Sequence, residues 1–352
     1  MKTALYSFLA LATLGILATL ATWQMSRPVF DGRLTFETTD TVEISPLDRA
    51  LTFARTTSGD VILVLSADGS TLKGINLTTE TNKKYSDAIG AYHEIGLETL
   101  LRMGRDGTQQ IFAWNDLSVP VDEHYPHVAA GTNYRAHARE VGHAGEPFLF
   151  PKLSRATAWN ADVVDGARLD YEVEICAVPL TDHTRTRPAK LAYLLCGDFT
   201  DRWSLVAHID TSGIMGQTGF PIGKGGETRL PVGALLVVPE DADFYQSLDI
   251  ALYVNDELRQ RSSGGLMIWS PYEILSRTLG DCRSPYYTED DVVSISDCEV
   301  IPARTLILTG TPEGVMFKVA TIWNPLAYLR SGDVVVSTGK FLGTMRNEIT
   351  RH

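Results

Sequence analysis

Leu169-Asp170-Tyr171-Glu172-Val173-Glu174-Ile175-Cys176 alternates apolar and polar residues, and Ala177 continues the alternation, the period of two that marks a β-strand with two unlike faces. Glu172 and Glu174 therefore share a face. Two carboxylates side by side repel, so once that face is enclosed one of them takes up a proton or a cation settles between them. A hard divalent cation with oxygen ligands is the simplest remedy. The apolar run Leu191-Ala192-Tyr193-Leu194-Leu195 reads as a second strand, with Asp198 where it runs out. An antiparallel hairpin that sets Glu174 opposite Asp198 keeps a constant residue-number sum and so sets Cys176 opposite Cys196. It gathers Glu172, Glu174 and Asp198 on one face, enough for Mg²⁺ or Mn²⁺ with waters completing the octahedron. Cys176 and Cys196 are expected as buried thiols.

Upstream, Asn133-Tyr134-Arg135-Ala136-His137-Ala138-Arg139-Glu140 places a histidine and a carboxylate three residues apart. On a helical turn both lie on one face, where Glu140 fixes the imidazole and raises its basicity, giving a pair that can deprotonate water. Downstream, Gly223-Lys224-Gly225-Gly226-Glu227 puts a lysine in a glycine loop. It suits a phosphate ligand or a mobile surface position, and the full phosphate-loop pattern with its Ser/Thr is missing. Leu308-Thr309-Gly310-Thr311-Pro312-Glu313-Gly314-Val315 follows a strand and forms a turn whose backbone amides, Gly310 among them, and Thr311 hydroxyl suit a carboxylate.

The chain has 352 residues, 44% hydrophobic and 21% charged, with a net charge of −12, a globular composition whose sign argues against nonspecific nucleic-acid binding. Residues 1–25 hold an uncharged apolar run over 4–22 after Lys2, read as a signal peptide or, preferably, a single-pass membrane anchor that sends the rest of the chain outward. The expected location is extracytoplasmic, periplasmic or secreted. Residues 28–125 read as a small α+β subdomain, with strands at Leu34-Thr35-Phe36, Ala50-Leu51-Thr52-Phe53 and Val61-Ile62-Leu63-Val64-Leu65 and a helix over 85–103. Residues 126–352 carry strand after strand separated by Gly and Pro. The fold class is α+β, mostly β. Cys282 and Cys298 bracket a polar insertion that a disulfide would close.

Taken in order, the Asn133–Glu140 run, Pro147-Phe148-Leu149-Phe150, Asp170-Tyr171-Glu172-Val173-Glu174, residues 198–202, 224–233, 254–260 and 310–315, and Gly343-Thr344-Met345-Arg346-Asn347 resemble the fumarylacetoacetate hydrolase family over about 126–349. The resemblance implies a mixed β-roll, commonly a homodimer, with Mg²⁺, Mn²⁺ or Ca²⁺ on Glu172, Glu174 and Asp198. It makes His137 and Glu140 the water-activating pair, Lys224 the group that stabilises a developing enolate, and Arg202 and Thr311 binders of a substrate carboxylate. The implied reaction is hydrolysis of a C–C bond in a small 2-oxo or 1,3-dicarbonyl acid. A decarboxylase, isomerase or dehydratase using the same enolate chemistry is the alternative, and a non-catalytic binder of a small acid is a third reading. The chain departs from the family pattern at Asp198-Phe199-Thr200-Asp201-Arg202-Trp203, which carries an extra acid and an indole, at Gly233-Ala234, and at Gly264-Gly265-Leu266.

Overall fold

The computed structural model describes residues 2–28, 42–209 and 216–351, so the expected strand Leu34-Thr35-Phe36 lies outside the described residues. β-Branched and apolar runs feed one eleven-stranded sheet. Its order is Gln109–Ala113, Thr71–Asn76, Val61–Ala67, Ala50–Thr56, Leu236–Pro239, Leu191–Gly197, Val173–Pro179, Thr305–Leu308, His124–Gly131 and Phe148–Lys152, with Leu117–Ser118 also on Ala50–Thr56. Only Thr305–Leu308 against His124–Gly131 is parallel within this sheet. A second sheet of five strands contains Glu257–Ser263, Asp249–Val254, Val334–Gly339, Gly343–Thr350 and Val163–Val164. The first strands join the larger sheet directly, Ala50 to Phe53 pairing with Pro239 to Leu236.

The helix expected over 85–103 is two helices, Ala88–Ile95 and Leu97–Asp106. Asp87 starts the first by accepting from the Gly90 amide at 2.7 Å, and Gly96, with φ of 81°, ends it in a conformation side chains avoid.

The central hairpin corrects two expectations. Glu174 pairs with Cys196 and Cys176 with Leu194, a register two residues away from the one that sets Glu174 opposite Asp198. A slip of two leaves every side chain on its original face. Asp198 consequently sits one residue beyond the Val173–Gly197 pair, its amide donating to the Glu172 carbonyl at 2.9 Å. Cys176 and Cys196, expected as thiols, form a disulfide with Cα atoms 5.8 Å apart. Both hairpin strands are buried at every position, because neighbours flank them within the sheet and the remaining structure covers both faces. The carboxylate face is thus enclosed.

Cys282 and Cys298 are also joined, with Cα atoms 5.1 Å apart. They close a loop that contains the small hairpin Pro285–Tyr287 and Val292–Ser294. Loop closure of this size contributes on the order of 3 kcal/mol in the chain-entropy account. The double variant Cys282→Ser/Cys298→Ser is expected to lose about that much stability in equilibrium denaturant unfolding; an unchanged midpoint and slope would show that the bridge carries no such load.

Candidate active site

Glu174 lies near the start of strand Val173–Pro179, Glu172 in the short break before it, and Asp198 just past the partner strand. Each offers an oxygen, all within 4.8 Å of one another and all buried. Like charges at this spacing do not stay together without compensation. Lys224, at the C-terminal end of the short helix Gly219–Gly223, reaches Glu172 Oε2 at 2.5 Å and Asp198 Oδ2 at 2.7 Å. Lys152, fully buried, donates to Asp198 Oδ1 at 2.7 Å and to the Lys224 and Arg229 carbonyls at 2.5 and 3.1 Å. Arg202 pairs with Glu172 and, through Nε, with Asp170 at 2.8 Å.

Glu174 is treated differently. It accepts from the Gly310 amide at 2.6 Å, and among the described residues no lysine or arginine pairs with it. Burial, reinforced by the Asp198 and Glu172 charges, raises its carboxyl well above the usual range. Burial also opposes ionisation of Glu172, yet Lys224 and Arg202 outweigh it and hold that carboxyl at about 2. An all-oxygen, anionic donor set with one uncompensated carboxylate fits a hard divalent cation.

His137 and Glu140 share a face of the short helix Arg135–Glu140, with Nδ1 and Oε2 3.3 Å apart. Against the expectation that Glu140 raises its basicity, burial lowers the His137 pKa to about 4, so the imidazole is neutral near neutral pH and free to accept a proton. Glu140 also takes the Gly314 amide on its two oxygens at 3.1 and 3.0 Å, and it pairs with Lys318.

The turn over 310–315 therefore does bind carboxylates through its amides, but those described are the protein's own: Glu174 at Gly310 and Glu140 at Gly314. Thr311, expected at a substrate carboxylate, donates instead to the Val173 carbonyl at 3.1 Å and accepts from Gln260 Nε2 at 2.8 Å. Arg202, expected in the same role, is engaged by Asp170 and Glu172 and is 6% exposed. The structure thus gives both residues protein partners, because the acids and carbonyls they serve are buried beside them. Gly314 has no substitute: a Cβ there would lie 1.9 Å from the Arg259 carbonyl oxygen, at φ of 111°.

Several residues of the sequence motifs act as buried staples. Asn133 donates to the Trp269 and Thr309 carbonyls at 3.0 and 2.8 Å and accepts from the Trp269 amide at 2.7 Å. Gln260 accepts from the Val173 amide at 2.9 Å. Asp170 receives the Tyr171, Met316 and Phe317 amides at 2.9, 2.9 and 3.1 Å. The extra acid Asp201 caps helix Arg202–Ala207, accepting from the Trp203 and Ser204 amides at 3.0 and 3.2 Å. Lys152 and Lys318 escaped the sequence reading. Lys152 left a trace only in lying at the end of the apolar strand Phe148–Lys152, which is buried on both faces from Leu149 onward. Lys318 left none.

A mostly β roll with three buried carboxylates gathered at one end of its central hairpin defines the fold class. Residues 126–350 match the family described as fumarylacetoacetate (FAA) hydrolase C-terminal, and the chain belongs to that family. It is 28% identical over 236 residues to oxaloacetate tautomerase YisK of Bacillus subtilis (strain 168), covering 63% of this chain and 68% of that one. It is 30% identical over 237 residues to 2,4-didehydro-3-deoxy-L-rhamnonate hydrolase of Sphingomonas sp. (strain SKA58), covering 63% and 72%. The solved fumarylacetoacetate hydrolase from psychrophilic Exiguobacterium antarcticum superposes with a TM-score of 0.61 at 21% identity, covering 86% of this chain and all of that one (100%). The 2-hydroxyhepta-2,4-diene-1,7-dioate isomerase from Mycobacterium marinum gives 0.55 at 18%, covering 86% and 98%.

Because the neutral form of Glu174 is favoured without a cation, its carboxylate weakens the metal-free fold as pH rises above the ordinary carboxylic value. Glu174→Gln is expected to leave metal-free thermal stability at neutral pH equal to or above wild type, while abolishing the rise in melting temperature on adding Mn²⁺. An undiminished Mn²⁺ response would remove Glu174 from the seat.

His127, whose pKa burial lowers to about 3, is a second acid-sensitive group. His127 and His137 both have folded values below the ordinary ~6.5, so their contribution is full above that value and declines as pH falls towards about 4 for His137 and about 3 for His127. His127 Nδ1 accepts from the Leu306 amide at 3.3 Å. His127→Asn retains an acceptor while removing the titration, and should flatten the acid limb of stability in thermal unfolding at stepped pH.

Proposed function

We propose that this chain is a divalent-metal-dependent hydrolase that cleaves a C–C bond in a small 2-oxo or 1,3-dicarbonyl acid of the acylpyruvate or fumarylacetoacetate-like kind. The observation that carries this reading is the convergence of Glu172, Glu174 and Asp198 within 4.8 Å, together with the neutral imidazole held by Glu140. Glu172, Glu174 and Asp198 would hold Mg²⁺ or Mn²⁺, with Ca²⁺ also compatible with oxygen ligands; when bound, such an ion supplies Lewis-acid polarisation of a substrate carbonyl. His137 takes a proton from water, Glu140 stabilises the resulting imidazolium, and the hydroxide oxygen bonds to the carbonyl carbon. The adjacent C–C bond breaks, its electron pair leaves as an enolate, and that enolate takes back a proton. Lys224, already between Glu172 and Asp198, offsets the charge that develops. Arg202 and Thr311 position Glu172 and the Val173 strand through the contacts described above.

A second reading has one supporting observation: the relative from Bacillus subtilis is an oxaloacetate tautomerase. Keto–enol conversion needs the same base and charge stabilisation without addition of water. We place the enzyme as a homodimer outside the cytoplasm, with residues 4–22 as its membrane anchor. Two disulfides support an oxidising compartment.

Full-length protein loaded with Mn²⁺ is expected to hydrolyse acylpyruvates or fumarylacetoacetate-like diketo acids, with turnover abolished by chelation and products identified by mass. Conversion of oxaloacetate between its tautomers without cleavage of any diketo acid would favour the second reading. His137→Ala should lower kcat by roughly 10²–10⁴-fold while retaining Mn²⁺ binding; wild-type turnover in that variant would exclude His137 as the base.

A further inference from the structure

The N-terminal helix Lys2–Met25 includes a 22-residue apolar span, Ala4–Met25, long enough to cross a membrane. Its described side chains are exposed along most of its length, and its last two turns meet the body of the protein. Asn324 Nδ2 donates to the Thr19 carbonyl and to Thr22 Oγ1, both at 2.9 Å. Arg259, 7% exposed, donates to the Ser26 carbonyl at 3.0 Å while its Nε holds Tyr171 Oη at 2.7 Å. Arg27 pairs with Glu257 and lies 4.4 Å above the Trp23 ring. The helix is therefore held at several points and the body is oriented relative to it.

At this junction the body exposes large apolar side chains: Val319 at 76%, Trp323 at 75%, Leu326 at 49% and Trp203 at 41%. The Trp203 and Trp323 rings meet edge to face at 6.3 Å. Thr19, which Asn324 touches, lies six residues before the helix end, about 9 Å along the axis at 1.5 Å per residue. That is the depth at which interfacial apolar groups enter the headgroup–acyl boundary, and tryptophan favours this layer.

We propose that residues 319–326, with Trp203, form a docking surface for the lipid bilayer entered by the helix. The proposal rests on the anchor reading given above. The occupant is lipid because the patch continues the side of a helix built to lie in lipid. Residues 316–318 belong to the same loop: the Met316 and Phe317 amides hold Asp170, and Lys318 holds Glu140. Docking therefore sets the candidate active site one loop away from the membrane surface.

The test uses the full chain in phosphatidylcholine nanodiscs whose acyl chains carry bromine near the headgroup end, which quenches nearby indoles. Wild type is compared with Trp23→Phe, Trp203→Phe and Trp323→Phe, and thermal unfolding verifies that each variant folds. Trp203→Phe and Trp323→Phe are each expected to remove roughly a third of the lipid-dependent quenching, with the effect persisting at high salt because the contact is apolar. If Trp23→Phe alone reduces quenching, the helix is inserted and the docking surface is refuted, whether the patch faces water or a second copy of the chain. If none of the three changes it, the anchor reading fails and the docking proposal falls with it.

Discussion

Mutual repulsion among buried carboxylates governs this structure. Glu172, Glu174 and Asp198 bring oxygens within 4.8 Å of one another inside the protein, where a charge without a partner is costly. Lys224, Lys152 and Arg202 answer Glu172 and Asp198 in pairs that are themselves buried. Buried pairs of this kind add little net stability, since removing each ion from water offsets most of the attraction. What they supply is position: Lys224 bridges Glu172 and Asp198 from separate segments, so those two acids cannot spread apart without breaking that bridge. Glu174 alone lacks such a cation among the described residues, which leaves the cluster asymmetric in charge compensation.

One short turn connects that seat to the histidine. The Gly310 amide holds Glu174, and four residues later the Gly314 amide holds Glu140, which faces His137. The turn must pass close to the strand Glu257–Ser263, and any side chain at Gly314 would strike the Arg259 carbonyl. Glycine there answers a close backbone approach as well as a positive φ. The Glu174 carboxylate and the Glu140 carboxylate beside His137 are thus set by a single piece of backbone, so distortion of the turn disturbs both.

Relatives that hydrolyse and relatives that tautomerise share this family, which is physically reasonable. A polarised carbonyl, a neutral imidazole and a cation beside the developing enolate serve both reactions, and the outcome depends on whether water is admitted to the carbonyl carbon. The chain-specific features lie around the seat rather than in it. Asp201 caps the helix that begins at Arg202, and Trp203 projects outward beside Trp323.

By itself the sequence determined the mostly β class, the family, the shared face of Glu172 and Glu174 and the helical spacing of His137 and Glu140, because alternation and short-range spacing are local properties of a chain; that this face is enclosed only the fold showed. The sequence showed the acids on one face even though the expected register was displaced by two residues, since that slip conserves side-chain direction. Tertiary structure decided which groups answer those acids. Lys152, Lys224 and Arg202 come from three separate segments, and Lys318 reaches Glu140 across 178 residues of chain. The family resemblance makes Thr311 and Arg202 ligands for a substrate carboxylate, yet in the fold their side chains meet partners distant in sequence. The Cys176–Cys196 bond and the break at Gly96 likewise depend on distances and backbone angles that residue types alone do not specify. Electrostatic compensation is long-range in sequence and short-range in space, so its partners become visible only after the chain has folded.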